Sequence, residues 1–487
     1  MVSPQSKTTT YHYDAVGNRD SVISPNGTTS GYQYDNLNRL TRVRHYMAGT
    51  ILAHYAYALN AAGIRTQVTE KDSSKAFFTY DSLYRLKSER RTGNHTDTMT
   101  YTYDPVGNRL TKVHRGVTTN YAYNNRDQLF SEWNGTDSTL YAYDSAGRML
   151  TKTEGGGTTH YRWRDEDRLD SLYGPGVSVK YQYDAEGRRV KDSTGSTVKQ
   201  YLIDPLLPYG QVISETDGSN SLVAEYVYGN DRVSQRRGTT SRYFLADGQG
   251  SIRMLTDSVG VVTDSNYYTA FGEDLYASGS TPHDFKYVGE QLDGNSGFYY
   301  NRARWMDPKV GRFESVDPFD GDPQASMTLH RYLYASASPI VYVDPTGEAF
   351  FADLVVGLYI RAQLIAIRIA PYIPLLGALR KDPAALTQLA NEEGGPTVQV
   401  LTNLASSPQA NRALSVATNI TPDELREAVG AGQKVFQANI PQALLSRMLA
   451  NQMVQKVITE MNDVILEEYR FTAEGANYVL HLFKEVP

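Results

Sequence analysis

The sequence predicts a mainly β protein, a run of tandem hairpins extending one sheet, followed by a small α-helical domain. Three observations predict it. A Tyr-x-Tyr tripeptide recurs at a near-fixed period, an Asp-turn-Arg segment follows most copies, and after residue 347 tyrosine gives way to Leu, Ala, Ile and Val. A constant spacing of roughly twenty residues is the mark of a repeat architecture.

The early copies open at Tyr11, Tyr32 and Tyr55, and Tyr101, Tyr121, Tyr141, Tyr161, Tyr181 and Tyr201 then form a regular ladder. Within a copy the two tyrosines fall on one face of a strand, because successive side chains point to opposite faces. In Tyr101-Thr102-Tyr103-Asp104-Pro105-Val106-Gly107-Asn108-Arg109-Leu110, and again from Tyr141 and from Tyr181, Asp and Gly supply the turn chemistry before a return strand. Each unit is a hairpin that is unstable alone. Stacked hairpins are expected to bury one another's tyrosine faces and share stability among neighbours. The 37 tyrosines among 487 residues are therefore read first as packing residues, with a sugar-binding stripe as the sharper alternative.

Further motifs follow the repeats. They are Tyr243-Phe244-Leu245-Ala246-Asp247-Gly248-Gln249-Gly250-Ser251-Ile252-Arg253, then Phe285-Lys286-Tyr287-Val288-Gly289-Glu290. After these come Gly297-Phe298-Tyr299-Tyr300-Asn301-Arg302-Ala303-Arg304-Trp305-Met306-Asp307-Pro308 and two Asp-Pro motifs, Asp317-Pro318 and Asp344-Pro345-Thr346-Gly347. With these segments the chain, over about residues 11 to 347, resembles the C-terminal part of an Rhs or YD-repeat protein. That family includes polymorphic bacterial toxins, the C components of insecticidal toxin complexes, and teneurins. The resemblance divides the chain into YD repeats (1–240), an associated core (241–347) and a variable C-terminal domain (348–487).

What the resemblance implies is a spiralling sheet that forms a full or partial shell, carrying a C-terminal effector released by aspartyl-type self-cleavage near residue 347. The catalytic candidates carried over are Asp317 and Asp344, with Arg304 as a supporting charge. The chemistry is sound, since two adjacent carboxyls share a proton and serve as base and acid around one water. An arginine beside them can hold one anionic or orient the scissile carbonyl. Two positions depart from the family pattern: Asp320 stands where the first motif has Gly, and Glu348 stands where a hydrophobic residue follows the second.

The last segment reads as helical. Thr421-Pro422-Asp423-Glu424 is a capping box with Pro at the first helical position. Residues 442–469 place Leu445, Met448, Leu449, Met453, Val457 and Ile458 near a 3.6-residue period. The apolar stretch 350–379 raises a membrane role, although Asp353, Arg361 and Arg368 form a narrow polar stripe and Pro371 and Pro374 end it.

Enzyme chemistry in this segment is narrowed by exclusions. The chain has no cysteine, which removes thiol nucleophiles and Cys-ligated zinc deaminases. His481 is the only histidine after His330, so no His-Glu-x-x-His site exists there. Glu460, Asp463, Glu467 and Glu468 read as a solvated helix face beside Lys456 and Arg470. No metal or cofactor is expected, and with a net charge of -6 no nucleic-acid footprint is evident.

The leading expectation is thus a toxin-type carrier with a cognate immunity protein and a delivery apparatus or N-terminal shell component as partners. The alternative is an uncleaved cell-surface or secreted adhesive protein that binds carbohydrate or protein. A secreted or surface location is expected in both cases, although no signal peptide opens the chain.

Overall fold

Side-chain alternation and a left-handed turn residue in each repeat build one long antiparallel sheet in the computed structural model, which describes residues 7–207, 209–321, 326–348 and the backbone of 351–352. Contacts divide the chain into two units, Met1–His12 with Arg19–Leu354, and Tyr13–Asn18 with Val355–Pro487. Among the described residues the sheet has 26 strands. From Arg19–Ile23 to Asp274–Ser278 each strand pairs antiparallel with the next in sequence. The predicted mainly β class is therefore observed. The predicted terminal helices, the apolar stretch 350–379 and His481 lie outside the described residues.

The recurring Asp and Arg are joined across each turn. Asp144 Oδ1 accepts the Arg148 N–H at 2.9 Å and its Oδ2 accepts Arg148 Nε at 2.7 Å. Asp184 and Arg188 repeat this at the same two distances, and Asp81 with Arg85 at 3.0 and 2.6 Å. Gly147 holds the left-handed position of its turn (φ 85°), and Asp127 and Asp167 take the equivalent place in neighbouring repeats, as Asp tolerates. A bulge follows in the return strand, at Leu150 opposite Ala142 and Tyr143 in one pair and at Val190 opposite Gln182 and Tyr183 in another.

The two tyrosines of a repeat do different work. The first is buried, as at Tyr101, Tyr121, Tyr141, Tyr161, Tyr181 and Tyr201. The second is half-buried, and its hydroxyl donates to a backbone carbonyl at the start of the preceding return strand. Tyr103 reaches Leu86 O at 2.8 Å, Tyr123 reaches Arg109 O at 2.9 Å and Tyr183 reaches Leu169 O at 2.8 Å. At Trp163 the indole Nε1 substitutes, donating to Met149 O at 2.6 Å. Each hairpin is thereby tied to the one before it. Tyr183→Phe keeps the ring and strands the Leu169 carbonyl, so it should lower unfolding free energy by about 1 kcal/mol. Tyr276→Phe, on an exposed ring, should change nothing measurable; equal urea midpoints for the two variants would contradict the tie.

Neighbouring hairpins alone do not cover the first-tyrosine face, contrary to the simplest reading of the repeat. The segment from Phe285 to Val343 packs on it. Phe298, Tyr300, Trp305 and Val310 share a cluster with Tyr121, Tyr141, Tyr161 and Tyr181. Tyr287, Tyr299, Met306, Phe313 and Tyr334 join Tyr101 and Tyr268. The physical reason is size: a single-layer sheet of large rings offers more apolar area than its own neighbours can bury, so a second layer is required. Within this unit the sheet also turns back on itself. His45 Nε2 lies 2.8 Å from Ala246 O, the Gly248 N–H donates to Tyr57 Oη at 2.6 Å, and Arg253 Nη2 donates to Glu70 Oε1 at 2.8 Å.

Candidate functional site

Short strands in the covering layer position the candidate residues. Tyr299–Asn301 and Arg304–Asp307 form a tight hairpin with Asn301 opposite Arg304, and Tyr342–Val343 pairs with Phe351–Ala352. Between the last two strands the Asp344-Pro345-Thr346-Gly347 segment bends back over the 301–304 hairpin, with the Ala303 N–H donating to Thr346 O at 3.0 Å.

Arg304, Asp317 and Asp344 meet in one place. Arg304 Nη2 lies 2.6 Å from Asp317 Oδ2 and 3.0 Å from Asp344 Oδ2. Its Nε donates to the Gly347 carbonyl oxygen, and its Nη1 donates to Arg331 O at 3.3 Å. The guanidinium stacks on Phe313, 3.7 Å from the ring centre. Arg304 and Asp344 side chains are each 2% exposed, whereas Asp317 is 13% exposed. One cation thus faces two carboxyls, and a guanidinium remains protonated.

The two carboxyls differ in surroundings. Asp344 Oδ1 accepts the Gly347 N–H at 2.8 Å in addition to the Arg304 contact, a setting that satisfies an anion. Asp317 Oδ1 accepts the Phe319 N–H at 2.9 Å. Burial pushes the Asp317 pKa up, against the pull of Arg304, and the nearby Glu348 charge adds to the rise. Burial also draws the Arg304 pKa below its ordinary value, with Asp344 and Asp317 opposing. Of the two carboxyls, Asp317 is the more exposed, and its raised pKa favours the protonated form. Both carboxyls and the Gly347 carbonyl oxygen contact the one Arg304 guanidinium.

Residues that the sequence did not single out complete the site. Asn301 Nδ2 donates to Asp344 O, and Arg302 Nη1 donates to Pro345 O at 2.6 Å while also pairing with buried Glu290. Arg331 donates from Nη2 to Asp317 O and from Nη1 to Asp320 Oδ1 at 2.9 Å. Asp320, the departure from the family pattern, thus forms an exposed ion pair with Arg331 beside the Asp317 loop. The adjacency of Asn301, Arg302 and Arg304 in sequence was the available signal for the first two; nothing local marked Arg331.

A buried acidic cluster surrounds Glu314, three residues before Asp317. Glu314, 3% exposed, faces Asp307, Arg312, Lys152 and Glu132, and Glu132 in turn accepts the Tyr141 hydroxyl at 2.8 Å. Burial, reinforced by the Asp307 charge, pushes the Glu314 pKa from 4.5 up to about 8. The folded state therefore holds the proton more tightly than the unfolded chain. The stabilisation is complete below the unfolded value and is lost as pH rises through the folded one. Between about pH 4.5 and 8 unfolding free energy should fall, and Glu314→Gln should flatten that slope. Urea midpoints at both ends of this window check it, and an unchanged slope in the variant would contradict it.

Among the described residues no grouping of His, Cys, Asp and Glu has the geometry to hold a metal ion, and no helix is long and apolar enough to cross a membrane.

A tandem-hairpin sheet, covered by a segment that gathers two Asp-Pro carboxyls around one arginine, defines a YD-repeat shell protein. Residues 62–340 match the Teneurin YD-shell family model, and the chain belongs to that family. It is similar to the tRNA nuclease WapA of Bacillus subtilis (strain 168), 29% identical over 346 residues, which span 69% of this chain and 11% of that protein. It is also similar to the double-stranded DNA deaminase toxin A of Burkholderia cenocepacia (strain H111), 27% identical over 221 residues, covering 44% of this chain and 14% of the relative. The chain therefore spans a small part of the length of these relatives. Among solved structures, a TcdB2-TccC3 crystal structure without its hypervariable C-terminal region aligns with 70% of this chain and 21% of that one, at 15% identity and a TM-score of 0.39.

Proposed function

We propose that this chain belongs to a toxin-type YD-repeat carrier, whose covering layer cuts its own backbone between Gly347 and Glu348 and so separates the segment that follows. The single observation behind this is the convergence of Asp317, Asp344 and the Gly347 carbonyl on one buried guanidinium. In the reaction, Arg304 polarises the Gly347 carbonyl and one carboxylate takes a proton from an attacking water. The water oxygen bonds to the Gly347 carbon, the bond to the Glu348 nitrogen breaks, and the protonated carboxyl gives its proton to the leaving amine. The raised pKa of Asp317 suits it to hold that proton, and Asp344 keeps Arg304 in place.

The names of the relatives support the carrier reading. One is a tRNA nuclease and another a DNA deaminase toxin, so similar sequence accompanies unlike activities. A cognate immunity protein and a delivery apparatus are the partners this reading implies; the activity of the last segment is not part of it. N-terminal sequencing of any smaller fragment of the purified chain tests the cut site. A fragment beginning at Glu348 is expected. A chain that stays whole on incubation would overturn the proposal and favour an uncleaved surface or adhesive protein.

A further inference from the structure

The geometry points to a four-residue clamp, Asn301-Arg302-Ala303-Arg304, that grips four successive carbonyl oxygens of Asp344-Pro345-Thr346-Gly347, with Arg302 as a positioning residue for the scission and the new C terminus kept seated afterwards. This inference rests on the cleavage proposed above. The four contacts run in register: Asn301 Nδ2 to Asp344 O, Arg302 Nη1 to Pro345 O, the Ala303 N–H to Thr346 O, and Arg304 Nε to Gly347 O. No residue is skipped on either side. Three of the four donors are side chains and one is a main-chain N–H, so the match depends on the shape of the hairpin rather than on a strand ladder.

The hairpin departs from ordinary turn chemistry in a way that fits this role. Arg302 occupies a left-handed position (φ 55°) in a two-residue connection, where Gly, Asn or Asp is the usual choice. Strain of this kind persists where the surroundings over-determine it. Here the guanidinium is held by buried Glu290 and by Tyr209 O at 3.3 Å, so its remaining reach is directed at Pro345. On the other side Gly347 has φ 71°, and a Cβ there would collide with the Asn301 carbonyl oxygen. The segment is thus presented in one pose, and restricting a reacting group to a near-attack geometry is a large source of rate.

The same contacts outlast the reaction. Hydrolysis bonds the water oxygen to the Gly347 carbon and frees the Glu348 amine, which leaves a Gly347 carboxylate against the Arg304 guanidinium. Three upstream carbonyls remain gripped. The site is then occupied by its own product and works once.

The test uses the full chain. Arg302→Ala should slow cutting at least tenfold and scatter the N-terminal fragment mass over more than one cut position, while Arg302→Lys should restore part of both. Glu290→Gln, which loosens the support without touching the segment, should give the intermediate result. Amide exchange at Thr346 and Gly347, measured in an uncut Asp317→Asn background, should accelerate in Arg302→Ala, and in cut wild type those amides should stay protected. Unchanged rate, cut position and protection in Arg302→Ala would overturn the clamp, and rapid exchange in cut wild type would overturn retention. If wild type is never cut, the cleavage proposal fails separately. The exchange arm then decides the clamp alone.

Discussion

Asp317→Asn should leave the chain whole, with the rate of the proposed self-cleavage reduced by about 100-fold or more, because an amide can neither take a proton from water nor deliver one to the leaving amine. Asp317 is the cleaner variant of the two carboxyls. Its side chain is 13% exposed, and Arg304 retains Asp344 as a counter-ion when it is changed. Asp344→Asn should also abolish cutting, but it removes the fully buried partner of a fully buried arginine. Arg304 keeps Asp317 at 2.6 Å, so the cost should fall below the roughly 3–5 kcal/mol of a buried charge left with no partner. Folding must therefore be checked by near-UV circular dichroism for that variant before its activity is interpreted. An Asp317→Asn chain that cuts at the wild-type rate would remove Asp317 from the chemistry.

Trp305→Ala should be the most destabilising single change in the covering layer, by about 3–5 kcal/mol. Trp305 is 2% exposed and lies between Tyr181, at 4.9 Å between ring centres, and Tyr300, at 5.0 Å. Arg189 adds a cation over the same ring at 5.1 Å. Arg189 in turn binds Asp293 at 3.1 Å and Gln291 at 3.0 Å, so the loss of the indole loosens a contact that joins a repeat strand to the covering segment. Because Trp305 is the neighbour of Arg304, the same variant should also cut slowly. A Trp305→Phe variant should recover most of the stability. A urea midpoint for Trp305→Ala within error of wild type would show that the covering layer is not what stabilises the repeat face.

The parts of this fold legible in the sequence were those with a local period. Tyr-x-Tyr spacing marked the strands, and the Asp and Gly of each repeat marked the turns. The different roles of the two tyrosines were not legible, because the Tyr183 hydroxyl bonds to Leu169, in the previous hairpin, and that offset depends on register between hairpins. The layer that buries the first tyrosines was missed for a similar reason: Phe298 and Trp305 lie far along the chain from Tyr161 and Tyr181, which they touch.

At the site, the resemblance to YD-repeat proteins brought Arg304, Asp317 and Asp344 forward, and the structure places the three in contact. The acceptors that Asn301 and Arg302 engage are backbone carbonyls, which have no signature of their own in a sequence. Asp320 was read as a departure, whereas its position opposite Arg331 gives it a structural partner that the motif alone could not reveal.

Scission of the chain after Gly347 by the covering layer, as proposed, is tested most directly by intact-mass spectrometry of freshly purified and incubated wild type. Two masses corresponding to residues 1–347 and 348–487, growing at the expense of the full-length species, are the predicted result. A single full-length mass at every time point, from protein shown to be folded, would contradict it.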